Sequence, residues 1–224
     1  MAKIIELYND KLANQYNKAT LKGKWSAPNE VNKTLSQLRL VKNNSSVLDL
    51  GVGTGQSIKI FINKNCKIYT VDISAKMLQI VKQKYPEVKT FKYNISNGLT
   101  GLHFKHKSFD IIIAVGVLEF IKNIKRIIKE TYQLLKADGY FIFTYELLLP
   151  NHRLQKLRVQ YNAEGYIKNP PNIMKFKLYR RSKKEINKIL NNTGYQIIRH
   201  FKIRAFSKGP AKIPVYYSVV LTKK

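Results

Sequence analysis

One stretch of the chain joins an apolar run to a glycine-rich turn. The residues from Val47 to Gly55 read V-L-D-L-G-V-G-T-G, and a second apolar run ends at Val71 and Asp72. Glycine tolerates positive φ and lets backbone N–H groups come close to a ligand. A carboxylate at the end of the next strand is placed to accept hydrogen bonds from a ribose diol. The pattern therefore predicts a strand, a glycine turn, a helix and a parallel strand that bind an adenosine-containing cofactor.

Strand and helix patterns alternate along most of the chain. Apolar runs predict strands over 46–50, 67–71, 88–93, 109–115 and 140–144, with helix patterns between them. We also predict a first helix from about Leu7 to Tyr16, a second that Pro28 opens and a third that Ser74 caps. Strands separated by helices pair in parallel through right-handed crossovers, so this pattern indicates a doubly wound α/β sheet.

The C-terminal part has a different pattern. Residues 182–185 read S-K-K-E, a capping box that opens a helix, and Gly194 suits the end of that helix. Residues 196–204 and 215–221 then read as two strands whose connection is too short for a helix. We therefore expect these strands to pair antiparallel, as a hairpin added to the sheet.

The glycines follow a G-x-G-x-G spacing, which departs from the dinucleotide pattern G-x-G-x-x-G. With the preceding Leu-Asp-Leu, this turn resembles motif I of the class I S-adenosylmethionine-dependent methyltransferases. Later segments resemble further motifs of that family in the right order: 71–74 the ribose-binding strand end, 108–113 the fourth strand, 117–121 the L-E-H-I helix start and 134–140 the L-L-K-P-G-G turn. The resemblance implies a Rossmann-like α/β fold with a seven-stranded sheet, mostly parallel with an antiparallel C-terminal hairpin, and helices on both faces.

The resemblance also implies S-adenosylmethionine as the cofactor and S-adenosylhomocysteine as the product. Asp49 would orient the turn or meet the ammonium group, Asp72 would accept the ribose hydroxyls, and Asn94 stands where the family usually has an acidic residue facing adenine. As ordinary structure, the same residues would form a tight turn and core positions. The full expected cofactor set is Asp49, Gly51, Gly53, Thr54, Gly55, Asp72, Ile73, Met77, Asn94, Ile95, Val115 and Gly116.

Two further segments are expected to close the site. Residues 1–40 would form a helical lid that carries Tyr16 and Trp25, and residues 147–181 an insertion that caps the acceptor pocket. On the substrate side we expect Tyr145, Glu146 and His152, although structural or solvated roles are alternatives for each. Phe120 replaces the histidine of the L-E-H-I pattern, which removes a candidate base, so no catalytic residue is predicted. Methyl transfer depends largely on alignment and can proceed without a general base.

The chain is strongly basic, with 41 Lys and Arg against 13 Asp and Glu and a formal net charge of +28. Such an excess attracts phosphates and acidic partners, but a solvated basic surface without a dedicated partner is an equal alternative. The leading hypothesis is methyl transfer to a small-molecule acceptor, with only weak electrostatic binding of nucleic acid. The alternatives are a methyltransferase acting on RNA or a nucleic-acid-associated protein, and a non-catalytic adenosine-cofactor-binding protein.

Length and composition fit a single domain spanning 1–224. One cysteine, Cys66, excludes an intrachain disulfide and a multi-cysteine metal site, so no metal is predicted. No apolar run approaches the ~18 residues of a membrane span, and the first residues lack a secretory signal, so we expect a cytoplasmic protein. The sequence N-P-P-N at 169–172 resembles the N-P-P-Y motif of amino-directed nucleic-acid methyltransferases. It does not follow the fourth strand, and a proline-stiffened loop is the better interpretation.

Overall fold

Nine strands form two sheets in the computed structural model, which describes residues 2–22, 25–152, 155, 163–169, 172–208 and 210–224. The strands are β1 (Ser46–Leu50), β2 (Lys67–Asp72), β3 (Lys89–Lys92), β4 (Phe109–Ala114), β5 (Leu135–Glu146), β6 (Ala163–Asn169), β7 (Asn172–Leu178), β8 (Gln196–Lys208) and β9 (Ile213–Lys223). Seven of them make one sheet in the order β3-β2-β1-β4-β5-β9-β8. Strands β1 to β5 pair in parallel, and β9 runs antiparallel to both β5 and β8. The predicted fold and its antiparallel hairpin are confirmed.

Helices cover both faces of this sheet. They are α1 (Ala2–Leu12), α2 (Tyr16–Lys22), α3 (Ala27–Gln37), α4 (Lys59–Ile62), α5 (Ala75–Lys84), α6 (Ile124–Leu134) and α7 (Lys183–Thr193). Successive residues of a strand point to opposite faces, so β1 contributes Val47 to the core beneath α3, α4 and α5 and Leu48 to the core beneath α6 and α7. In the described part of the chain, no helix is long and apolar enough to cross a membrane.

The start of the chain differs from the prediction. A helix from about Leu7 to Tyr16 was expected, but α1 begins at Ala2, a 3₁₀ turn follows at Ala13–Gln15, and α2 extends to Lys22. Residues 2–22 contain no glycine or proline, so nothing in this segment prevents the helix from beginning before Leu7. The expected lid of residues 1–40 is also divided, because Val31 and Leu35 of α3 are fully buried in the core on one face of the sheet.

The insertion at 147–181 contains the second sheet. Strands β6 and β7 pair antiparallel, and Asn169 pairs with Asn172 at the turn. Pro170 and Pro171, the centre of the N-P-P-N motif, lie outside the described residues. Strand β7 contacts α1 and the 3₁₀ turn Leu118–Phe120, so the hairpin lies beyond the end of β4.

Capping determines where α7 begins. The Ser182 hydroxyl accepts a hydrogen bond from the Glu185 N–H at 3.1 Å, and Gly194 ends the helix with φ 98°. We predict that Ser182→Ala lowers the free energy of unfolding by about 1 kcal/mol, because one backbone N–H loses its acceptor. In a chain of this size that corresponds to a melting temperature lower by roughly 2–4 °C.

The control for this change is Lys184→Ala, an exposed substitution in the same helical turn that should change stability by less than about 0.5 kcal/mol. Urea denaturation of the wild type and both variants measures the effect. Equal destabilisation by the two substitutions would show that the hydroxyl does not cap α7.

Candidate functional site

The Asp72 carboxylate joins the glycine turn to the start of α5. Its Oδ2 accepts the Gly53 N–H at 2.9 Å and its Oδ1 accepts the Ser74 N–H at 2.9 Å. Asp72 is 7% exposed, and burial raises the pKa of its carboxyl while the two N–H donors oppose that rise. The turn itself needs glycine, because Gly51 has φ 79° and a Cβ there would lie 2.7 Å from Val117.

Asp49 is a fully buried carboxylate beside the same turn. Its Oδ2 accepts the Ser57 hydroxyl at 2.7 Å, whereas its Oδ1 has no hydrogen-bond partner among the described residues. Burial raises the pKa of Asp49 to about 7; the Ser57 hydrogen bond opposes this rise, and the nearby Asp72 charge adds to it. A buried carboxylate oxygen without a donor is costly, so this atom is a candidate ligand-binding group.

The end of β4 completes the edge of the site. Gly116 follows the strand with φ 70°, and its N–H donates to the Thr144 hydroxyl of β5 at 2.9 Å. A Cβ at Gly116 would lie 2.9 Å from Cζ2 of Trp25, so the indole packs directly on this glycine. Val115 lies beside it and is half-buried.

Helix α2 lies over the glycine turn. The Asn17 side-chain oxygen accepts the Thr54 hydroxyl at 2.5 Å and the Gln56 amide at 3.1 Å. Cε1 of Tyr16 lies 3.8 Å from the position of a Cβ on Gly53. The two aromatic residues expected in the lid, Tyr16 and Trp25, therefore contact two of the four glycines expected at the cofactor.

The residues expected around adenine lie at the ends of β2 and β3. Met77 in the first turn of α5 and Ile95 are buried, and Ile73 is half-buried. The side-chain oxygen Oδ1 of Asn94 caps the 3₁₀ turn Ile95–Asn97 by accepting the Ser96 N–H at 3.0 Å. Asn94 thus has a structural role, and its contact with adenine stays a prediction.

Two of the residues expected on the substrate side have structural partners instead. Tyr145 is fully buried, and its hydroxyl lies 2.9 Å from Nε2 of His200. Glu146 forms an ion pair with Arg180 at 2.6 Å, and both side chains are 5% exposed. Both side chains therefore have structural roles, and their contact with the acceptor stays a prediction. His152 packs edge-on against Tyr216 with ring centroids 5.8 Å apart, and its role there stays a prediction.

Sequence reasoning missed a second buried carboxylate with an open oxygen. Glu119, in the 3₁₀ turn after β4, is 3% exposed. Its Oε1 accepts the Tyr217 hydroxyl at 2.8 Å, and its Oε2 has no hydrogen-bond partner in the described part of the chain. The L-E-H-I resemblance includes this position, but we considered only the histidine that Phe120 replaces as a candidate base.

Comparison with known proteins supports the fold and its family. Residues 48–143 match the family described as methyltransferase domain. An uncharacterized protein of Methanocaldococcus jannaschii is 38% identical over 141 residues, 62% of this chain and 51% of that protein. The demethylmenaquinone methyltransferase of Tropheryma whipplei is 27% identical over 141 residues, 63% of this chain and 58% of the enzyme. The chain thus covers little more than half the length of these relatives.

A solved structure resembles the chain over its whole length. The 1,6-didemethyltoxoflavin-N1-methyltransferase of Burkholderia thailandensis, solved with bound 1,6-didemethyltoxoflavin and S-adenosylhomocysteine, has a TM-score of 0.68 at 13% identity. The comparison covers 100% of this chain and 88% of that enzyme, and at this identity it shows the fold alone. The fold is the Rossmann-like methyltransferase fold. The motif-bearing segment, residues 48–143, agrees with this fold, because it is the part of the chain that matches the methyltransferase domain family.

The raised pKa of Asp49 predicts a pH-dependent stability. The folded protein holds this proton up to about pH 7, whereas the unfolded chain releases it near pH 4. The folded state therefore binds more protons in that window, and stability falls as the pH rises through it. Asp49→Asn removes this loss, so the variant should gain roughly 2–4 kcal/mol relative to the wild type between pH 4 and pH 8.

Urea denaturation at several pH values tests this prediction. The control is Glu87→Gln, which removes an exposed carboxylate and should follow the wild-type curve. Parallel curves for Asp49→Asn and the wild type would contradict the buried, proton-binding state of Asp49.

Proposed function

We propose that the chain binds S-adenosylmethionine at the carboxyl edge of β1, β2 and β4 and transfers its methyl group to a small-molecule acceptor. The observation that carries this proposal is the pair of buried carboxylates, Asp72 and Asp49, on either side of the glycine turn. They offer hydrogen-bond acceptors at the two places where the cofactor has donors, the ribose diol and the ammonium group.

Asp72 retains acceptor capacity for the ribose. An ionised carboxylate has about four lone-pair sites, and the backbone N–H groups of Gly53, Ser74 and Ile73 take up to three of them. At least one site is available to a ribose hydroxyl. The same residue would therefore fix the glycine turn and hold the cofactor.

Asp49 suits the cofactor's ammonium group. Its Oδ1 lacks a donor, and an ammonium there would make a charge-assisted hydrogen bond and favour the ionised carboxylate. Asn94 and Ile95 at the end of β3 and Ile73 and Met77 after β2 would surround the adenine.

Alignment supplies much of the rate in such a transfer. When bound, S-adenosylmethionine supplies an electrophilic methyl group on a sulfonium. The sulfonium would lie at the end of β4 beside Val115 and Gly116, and Trp25, which packs on that glycine, would cover this part of the site. Hydrogen bonds from Thr54 and Gln56 to Asn17 hold helix α2 against the glycine turn. This helix would orient a cofactor bound at the turn.

The small-molecule acceptor is supported by the relatives, among them an enzyme named for demethylmenaquinone. The net charge of +28 favours a second candidate, a methyltransferase that acts on RNA or a nucleic-acid-associated protein. Basic residues occur along the whole sequence, and the motif that holds a flipped base does not follow β4. A single cysteine fits a reducing cytoplasm as the location of either enzyme.

Cofactor binding can be tested at Asp72. We expect Asp72→Asn to weaken the binding of S-adenosylhomocysteine by tenfold to a hundredfold, about 1.5–3 kcal/mol, because a hydrogen bond to a charged acceptor is lost. Isothermal titration calorimetry measures the affinity, and NAD should not bind the wild type.

The matched control is Asp110→Asn, because Asp110 lies at the start of β4 on the opposite edge of the sheet and pairs with Lys136. This control should bind the cofactor as the wild type does. Unchanged affinity in Asp72→Asn would remove Asp72 from the site.

Salt and turnover together separate the two acceptor classes. We expect RNA binding that weakens with salt, with a slope of about −0.7 in log K per phosphate contacted on single strands, and no methyl incorporation from labelled S-adenosylmethionine into RNA. Filter binding and scintillation counting measure the two quantities. Incorporation at one defined RNA position that Asp72→Asn abolishes would establish the second candidate instead.

A further inference from the structure

Glu119 is a buried carboxylate that forms no ion pair with an arginine in the described part of the chain. The nearby Glu146 shows the alternative, because Arg180 pairs with it at 2.6 Å. Arg181 is also buried near Glu119, but its guanidinium donates to the backbone carbonyls of Leu118, Tyr179, Ile121 and Lys122. The Oε2 of Glu119 is therefore left open although two guanidinium groups lie in the same region.

The backbone and one oxygen of Glu119 are fixed. Its carbonyl accepts the Tyr179 N–H at 2.6 Å, and its Oε1 accepts the Tyr217 hydroxyl at 2.8 Å. Only Oε2 remains for another donor. An unsatisfied buried carboxylate oxygen costs stability, so a native protein that keeps one has a use for it as a strained or ligand-binding group.

Aromatic contacts connect this carboxylate to the end of β4. The Tyr217 ring packs edge-on against Trp25, with ring centroids 5.1 Å apart and an interplanar angle of 80°. Trp25 in turn packs on Gly116, where the proposed function places the sulfonium. Glu119 is thus connected through Tyr217 and Trp25 to the end of β4, where the proposed function places the methyl donor.

Burial also tunes the acidity of Glu119. Burial raises its pKa to about 7; its backbone N–H and the Tyr217 hydroxyl oppose this rise, Glu146 adds to it, and Arg181 opposes it. A carboxyl group with this pKa gains and loses a proton near neutral pH, as a general base requires.

We propose that Glu119 binds the acceptor and removes the proton from its nucleophilic atom, which is therefore a nitrogen or oxygen that carries hydrogen. This proposal rests on the proposed methyl transfer. The nucleophile's electron pair forms the new bond to the methyl carbon, and the electrons of the broken S–C bond remain on sulfur, which becomes a neutral thioether. The proton passes to Oε2 of Glu119 and from there to solvent. A carboxylate acceptor would be repelled by Glu119 and has no proton to give.

Three ring compounds that differ in one group test this proposal: benzylamine, phenol and benzoate. Trp25 is the only tryptophan of the chain and contacts Tyr217, so its fluorescence reports binding near Glu119. The protein is first saturated with S-adenosylhomocysteine, and each probe is then titrated. We expect benzylamine or phenol to bind and benzoate not to bind.

The key variant is Glu119→Gln, whose amide carbonyl can still accept the Tyr217 hydroxyl. We expect it to weaken binding of the preferred probe at least tenfold and to change the affinity for S-adenosylhomocysteine less than twofold. In the wild type, probe affinity should rise from pH 6 to pH 8 as Glu119 ionises, and the variant should lose this dependence. Tyr217, Glu146 and Arg181 are the other charged or titratable groups that face Glu119, and Tyr217→Phe should move the midpoint to higher pH.

Tyr216→Phe is the matched control, because Tyr216 is the neighbour of Tyr217 on β9 and contacts His152 instead. It should bind as the wild type does. Binding of benzoate alone, binding of none of the probes, or an unchanged pH dependence in Glu119→Gln would overturn the proposal. Failure of the wild type to bind S-adenosylhomocysteine would instead overturn the proposed function, and equal loss of cofactor and probe would assign Glu119 to the cofactor site.

Discussion

The Asp72 carboxylate holds the functional edge of the molecule together. It accepts two backbone N–H groups, one from the glycine turn after β1 and one from the start of α5. These hydrogen bonds set the distance between the ends of two parallel strands, and they keep a charged group at 7% exposure. The positions of Gly53 and helix α2 relative to the sheet follow from this contact, because each lies on or against the turn that Asp72 holds.

The same edge carries two carboxylates that the fold does not fully satisfy. One oxygen of Asp49 accepts the Ser57 hydroxyl, and one oxygen of Glu119 accepts the Tyr217 hydroxyl. The second oxygen of each carboxylate has no hydrogen-bond partner among the described residues. Glu146 lies on the same edge and is neutralised by Arg180. An unsatisfied buried group costs free energy, and proteins tolerate that cost mainly at functional sites. The contrast between these carboxylates is the physical basis for assigning one to the cofactor and one to the acceptor.

Much of the fold follows from local sequence, and less of the site does. The strand Ser46–Leu50, the glycine turn and the Ser182 cap depend on neighbouring residues, and the structure confirms each of these elements. The contact of Tyr217 with Glu119 joins residues 98 positions apart, and no local pattern predicts it. Such a contact exists only because β9 inserts between β5 and β8.

The residues expected on the acceptor side show a second limit of prediction from local sequence. Tyr145 and Glu146 are successive residues of one strand, so their side chains point to opposite faces of the sheet and cannot both meet one acceptor. The predicted strand ended at residue 144, whereas β5 extends to Glu146, so this alternation was not expected. The packing of distant segments decides which face each side chain takes. It also brings Arg180 to Glu146, with which it forms an ion pair.

We propose that the buried carboxylates at this edge form the cofactor and acceptor sites. A crystal structure of the protein with S-adenosylhomocysteine would show whether they do. The assignment predicts the ribose hydroxyls on Asp72, the ammonium group within hydrogen-bond distance of Oδ1 of Asp49, and the sulfur beside Gly116 on the side of Glu119. A cofactor bound away from the glycine turn, or one that leaves both Asp49 and Asp72 without contact, would contradict it.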